Sequence, residues 1–200
     1  MAGASATILI DREWTSSEQK ILDDMLSKTA IIIEDNNYFV VNNTFAIGGK
    51  QHEEYQSFTY TIFNINDEAS YSSDECNQIN EVFHSIPVTA IDFSATTNRT
   101  NLRMLGEIVL YIADKLNGII DFRGALLPEK AYKENDFWWI IEKANWEEVE
   151  HYYTEMIREI PGTIACIHYQ TGGKHHWAYN VCDVLFMKSW VNHPEFQLIK

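Results

Sequence analysis

The chain has 200 residues, 46% of them hydrophobic and 22% charged, an ordinary globular composition. At that length a chain buries about 70% of its unfolded surface and needs neither metal nor disulfide for stability. The net charge of −14, from 29 acids against 15 Lys and Arg, argues against nucleic-acid and anionic-lipid binding. A basic protein partner or plain solubility remains.

The opening MAGASATILIDREW lacks a basic n-region and reads as the start of a cytoplasmic protein, not as a signal peptide. Ala6 to Ile10 predicts a strand. Thr15-Ser16-Ser17-Glu18 is a capping box, and the helix it opens carries Ile21, Leu22, Met25 and Leu26 on one side. Ala30 to Ile33 is a β-branched run. Tyr38 to Ile47 reads as a strand broken near Asn42-Asn43, with Gly48-Gly49 turning the chain. Ser57 to Ile65 alternates as a half-buried antiparallel strand. Ser72-Ser73-Asp74-Glu75 is a second capping box, before a helix with Ile79, Val82 and Phe83 on its buried side. Pro87 to Phe93 predicts a strand.

Asn98 to Asn117 predicts the central long helix. Leu102, Leu105, Ile108, Val109, Ile112, Ala113 and Leu116 form a broad apolar face, and Arg103, Glu107, Leu110 and Asp114 a mostly polar stripe. Gly118 stands where a left-handed stop is wanted, and Ile119 to Phe122 follow as a buried strand. The tripeptide Ile-Asp-Phe occurs at 91–93 and 120–122, on both sides of this helix, which suggests a right-handed βαβ crossover. Phe137 to Ile141 reads as a strand and Asn145 to Glu159 as a helix. Thr163 to Gln170 and His175 to Cys182 form a hairpin, and Asp183 caps a helix over 184–191. No linker interrupts the chain. The expectation is one α+β domain over 1–200, or two subdomains (about 1–95 and 96–200) sharing a core. Its sheet is mixed or mostly antiparallel and packs against helices.

Two constellations are candidates for chemistry. With Gly172-Gly173 as a two-residue turn, Tyr169 faces His176, His168 faces Trp177 and Gln170 faces His175. His168 and His175 are then diagonal neighbours on one face, with Cys166 one pleat away, able to hold a metal or act as acid and base. The alternative is a polar hairpin end. Asp92, Asp121 and Arg123 sit at the ends of the Ile-Asp-Phe strands; they either share a proton or a cation, or pair locally. The cysteines Cys76, Cys166 and Cys182 show no CxxC or zinc spacing and read as reduced thiols. No catalytic, cofactor or metal residue is assigned.

Surface charge is unevenly spread. Lys50 is the only Lys or Arg between residues 34 and 81, a stretch that includes Glu53 and Glu54. A second acidic group, with Asp136, Glu147 and Glu148, surrounds Trp138, Trp139 and Trp146. Aromatic anchors amid acids suit a protein-binding face that steers a basic partner; the alternative is inward tryptophans beneath a solvated rim.

The segment Gly106-Glu107 to Gly118-Ile119-Ile120-Asp121-Phe122-Arg123-Gly124-Ala125-Leu126, the run ending Ile160-Pro161-Gly162 and the terminal Trp190-Val191-Asn192-His193-Pro194-Glu195-Phe196 carry a family resemblance. They resemble small acidic bacterial immunity proteins encoded beside polymorphic toxins of contact-dependent and type VI secretion systems. The resemblance covers roughly the C-terminal half. It implies a non-enzymatic cytoplasmic toxin inhibitor that occludes one cognate toxin domain 1:1, without a cofactor. A small enzyme using His168 and His175 or the strand-end aspartates, and an effector adaptor or chaperone, are the other readings. Because no ligand spacing is present and the core is ample, the fold is expected to survive chelation. Thermal melts with and without EDTA check this, and a large zinc-reversible loss of stability would contradict it.

Overall fold

The computed structural model describes residues 4–35, 37–68, 70–96, 102–124, 157–170, 176–194 and 196. The fold is α+β, as expected. Strand β1 (Ser5–Ile10) leads through a turn into helix α1 (Ser16–Thr29), then β2 (Ala30–Glu34), β3 (Tyr38–Asn43) and a 3-10 turn (Phe45–Ile47). β4 (Gln51–Asn64), α2 (Ile65–Glu68), α3 (Ser73–Phe83) and β5 (Thr89–Ala95) follow. Helix α4 (Leu102–Leu116), β6 (Ile119–Asp121), β7 (Ile164–Gln170), β8 (His176–Cys182) and α5 (Val184–Trp190) complete the described elements.

The strands form one sheet in the order β2-β3-β4-β5-β1-β6-β8-β7, with every described pairing antiparallel. β1 lies between the two Ile-Asp-Phe strands. Ile8 stands opposite both Ile91 and Ile120, and Thr7 opposite both Asp92 and Asp121. β5 and β6 both run antiparallel to β1 and hence parallel to each other, so α4 does make a crossover. The crossover steps over β1, which lies between its two strands.

That step puts α4 on the main core. Met104, Leu105, Ile108, Val109, Ile112, Ala113 and Leu116 are all fully buried, together with Ala6 and Ile8 of β1, Phe39, Phe58, Phe93, Ile120 and Phe122. A smaller core lies on the opposite face. There Leu9, Ala90, Ile119 and Val181 meet Ile65, Tyr71 and Ile79. Period-two alternation along β1 feeds both cores at once, even positions to one and odd to the other.

Local signals account for the ends. Both capping boxes form: the Thr15 N–H donates to Glu18 at 3.2 Å, and the Ser72 N–H to Glu75 at 2.9 Å. Asp183 caps α5, accepting from the Phe186 N–H at 2.7 Å. Asn98 lies outside the described residues, as do 137–141 and most of the helix expected over 145–159.

Four expectations are corrected. The left-handed residue after α4 is Asn117 (φ 50°), not Gly118. Gly118 is needed for close approach instead, since a Cβ there would stand 2.7 Å from Ile8 Cγ2 and 3.1 Å from the Leu9 carbonyl. Residues 45–47 turn as a 3-10 helix where strand was expected, and β4 begins six residues early, at Gln51, across a bulge against β3. Val82 is exposed, so Ile79 alone anchors α3 firmly. Replacing Ile112 by Ala should cost about 2–5 kcal/mol in urea denaturation, as for buried aliphatic truncations. A loss below about 1 kcal/mol would place α4 at the surface.

Candidate functional site

Asp92, Thr7 and Asp121 stand in one row across three adjacent strands. Thr7 donates its hydroxyl to Asp92 at 2.7 Å, and Ser94 donates to the other Asp92 oxygen at 2.8 Å. Asp121 is buried; it accepts from the Tyr71 hydroxyl at 2.6 Å and from the Arg123 N–H at 2.6 Å. Arg123 has φ 57°, the left-handed conformation that turns its N–H back onto Asp121. Its guanidinium lies 3.6 Å from Asp92 and 6.0 Å from the centre of the Tyr71 ring. The sequence-predicted trio therefore comes together, and every carboxylate oxygen in it has a donor. Burial lifts the Asp121 carboxyl to about 6, against the opposing pull of Tyr71 and Arg123. Burial also drives the Tyr71 and Tyr179 phenols up, Asp121 adding to both. The Tyr179 hydroxyl, close to the Glu75 carboxylate, makes no hydrogen bond of normal geometry. This cluster holds three strands and a loop together through charge-assisted bonds.

The hairpin pair is corrected. The register is Gln170 to His176, Tyr169 to Trp177 and His168 to Ala178, one residue away from that expected. The turn itself, residues 171–175, lies outside the described residues. Burying Ile167, Tyr179 and Val181 in the smaller core selects this register, because a one-residue slip would turn them outward. Cys166 opposes Asn180, and His175 lies outside the described residues. The His168 backbone is held by the side-chain amide of Gln78, through bonds of 2.9 and 2.8 Å. Among the described residues no group of three His, Cys, Asp or Glu could hold a metal.

Of the acidic and aromatic residues expected to bind a partner, Glu54 is exposed on β4. Glu53 lies on the same strand, while Asp136, Trp138, Trp139, Trp146, Glu147 and Glu148 lie outside the described residues.

A different surface stands out. β2 is the edge strand of the described sheet, and its Ile31, Ile32 and Ile33 are 50%, 46% and 57% exposed. Edge strands are ordinarily blunted by Lys, Pro or bulges. This one has only a register irregularity after Ala30. Ala30 pairs with Val41 and Val41 with Gln56, so the start of β2 lies at the same end of the sheet as Phe45 and Tyr55, which are 75% and 65% exposed. Glu54 adjoins Tyr55, and Glu34 and Asp35 end β2; all three are exposed.

The same end carries a polar network that periodicity hides. Glu107 falls on the polar stripe of α4, yet it is only 7% exposed. Its Oε2 accepts from the Thr44 hydroxyl, from the Lys50 N–H at 3.3 Å and contacts His52 Nε2 at 2.9 Å. Gly49 allows this closeness, because a Cβ there would collide with Thr44 and Glu107. Partners 55 to 63 residues away leave no local signal; a lone Glu between Gly106 and Ile108 is the only trace.

The Asp121 carboxyl has a testable consequence. Its folded value, about 6, exceeds the ordinary aspartate value of 3.8. From pH 4 to 6 the folded state thus holds the proton that the unfolded state releases, and its contribution to stability falls as pH rises through that window. Relative to Asp121→Asn, the natural protein should lose on the order of 3 kcal/mol between pH 4 and 7. Parallel denaturation series at several pH values check this; a flat difference would contradict it.

No curated protein and no solved structure matches this chain. A family model, described as a family of unknown function (DUF6368), matches residues 2–200. With essentially its whole length matched, the chain belongs to the DUF6368 family.

Proposed function

We propose that this protein is a cytoplasmic immunity protein that binds one basic toxin domain and neutralises it by 1:1 occlusion. The observation that carries the reading is β2, the edge strand of the described sheet, with three consecutive half-exposed isoleucines in an acidic setting. A partner that adds a strand to such an edge gains main-chain hydrogen bonds from the ladder and apolar burial from the isoleucines. Phe45 and Tyr55 supply anchors at one end of the patch, and tyrosine is among the residues that concentrate binding energy. Glu34, Asp35 and Glu54, with the net charge of −14, steer a basic partner and disfavour acidic ones.

Two features support binding over catalysis. The aspartate row is internally satisfied, and its hydrogen bonds serve the strands that it joins. The exposed groups are apolar or acidic, suited to contact and steering. An adaptor would use the same edge, but for an extended segment of an effector and not for a folded toxin domain. No described helix is long and apolar enough to cross a membrane.

The test is co-expression with the C-terminal toxin domain encoded beside this chain. Survival of the cells is expected, with a stable 1:1 complex. Ile32→Lys sits on an exposed position and should change stability by no more than about 0.5 kcal/mol. It should weaken the complex at least tenfold, about 1.4 kcal/mol. Reversing Glu34, Asp35 and Glu54 together should slow association at low salt and leave dissociation nearly unchanged. Cell death despite abundant folded protein, or sub-stoichiometric catalytic protection, would refute the proposal.

A further inference from the structure

A cleft of about 440 Å³ opens between α4, the turn that ends at Lys50, and α5. Its lining is mixed, and Ile47, Leu110, Val184 and Val191 supply an apolar part of the wall. Its floor is Glu107, the one buried charged residue among the lining residues. All three hydrogen-bond contacts to that carboxylate fall on Oε2. Oε1 has none of them, so it is the oxygen left for a group entering the cleft. Asp114 stands at the exposed rim, two turns along α4 from Glu107. Lys50 and Lys188 also lie at the rim; both are exposed, where water screens their charge and long stems let the ammonium groups move away.

We propose that this cleft is a binding site for the cationic end of an alkyl chain, an alkylammonium or alkylguanidinium group. An apolar strip of wall beside a fixed buried carboxylate matches such a ligand in both parts: the methylenes lie along Leu110 and Val191, and the head donates to Glu107 Oε1. The cavity size falls in the range of small-molecule sites, about 300–1,000 Å³. Oε2 already accepts from Thr44 and Lys50 and contacts His52, so the carboxylate is held in position before a ligand arrives, and little ordering is left to be done on binding. Two sources share this chemistry: a lysine or arginine side chain of a basic partner, and a free diamine. The first source rests on the protein-binding reading above, since the cleft lies next to Phe45; the second does not.

The experiment uses the isotopically labelled full chain and no toxin. N-acetyl-arginine methylamide, N-acetyl-lysine methylamide and putrescine are titrated in turn, with N-acetyl-norleucine methylamide as the uncharged control. Saturable shifts are expected at the Gly48 and Gly49 amides and the Val184 and Val191 methyls, absent with norleucine. Glu107→Gln keeps acceptors for Thr44 and Lys50 and should weaken binding at least tenfold; Asp114→Asn, on an exposed site, should weaken it less. If Glu107→Gln does not fold, Leu110→Trp narrows the cleft from its half-buried wall and should abolish the shifts. Tighter binding of the amino-acid amides than of putrescine assigns the site to a protein side chain; the reverse assigns it to a free diamine. Absence of saturable shifts, equal binding of norleucine, or shifts that survive both Glu107→Gln and Leu110→Trp would overturn the proposal. Because no toxin is present, such a failure leaves the co-expression result standing on its own.

Discussion

Strand β1 has no free edge. Its backbone is paired on both sides, by β5 and by β6, and its side chains feed a core on each face of the sheet. Because β5 and β6 flank it and run parallel to each other, the chain between them must cross over β1. Helix α4 is that crossing, and its wide apolar face is buried as a result. Residues 5–10 must therefore wait for partners 79 to 114 positions away. Pairings of such high sequence separation carry a large loop-closure entropy, which the burial of α4 offsets.

The repeated Ile-Asp-Phe tripeptide takes its meaning from this arrangement. The two isoleucines meet Ile8 in the main core, and the two aspartates meet Thr7 on the other face. Placing two carboxylates in one row of a sheet is unfavourable unless donors separate them. Thr7, Ser94, Tyr71 and Arg123 supply those donors. Asp121 still remains harder to ionise than a solvated aspartate, which shows that hydrogen bonds offset its desolvation only in part. Glu107 illustrates the other way to bury a carboxylate: three contacts converge on one oxygen, and a glycine turn closes over it.

Asp121 and Glu107 both stabilise junctions between distant segments, whereas the exposed face of β2 carries no such network among the described residues. At β2, the edge of the described sheet, the chain leaves three isoleucines about half exposed, at a cost that acidic neighbours mitigate. The exposed edge, Phe45, Tyr55 and the Glu107 cleft all gather around the turn between β3 and β4. That concentration of unspent apolar and electrostatic potential is what sets this end of the molecule apart from the well-capped helices elsewhere.

Local signals in the sequence were sufficient for the α+β class, the strand at 6–10, both capping boxes, the Asp183 cap and the apolar face of α4. Each is decided by residues within one or two turns of one another, or by a strict period of two or 3.6. The meeting of Asp92, Asp121 and Arg123 was also legible, because the tripeptide repeat marked the two strands. Hairpin register was not, since a glycine pair suggested a two-residue turn while burial of Ile167, Tyr179 and Val181 chose a register one residue away. Nor was the exposure of Ile31 to Ile33: a β-branched run reads alike in a central strand and at an edge, and only strand order separates the two. The burial of Glu107 follows from Thr44, Lys50 and His52, which meet it through a turn more than 50 residues away. Periodicity places a side chain on a face of its own helix, but which neighbour covers that face is a property of the assembled sheet and helices alone.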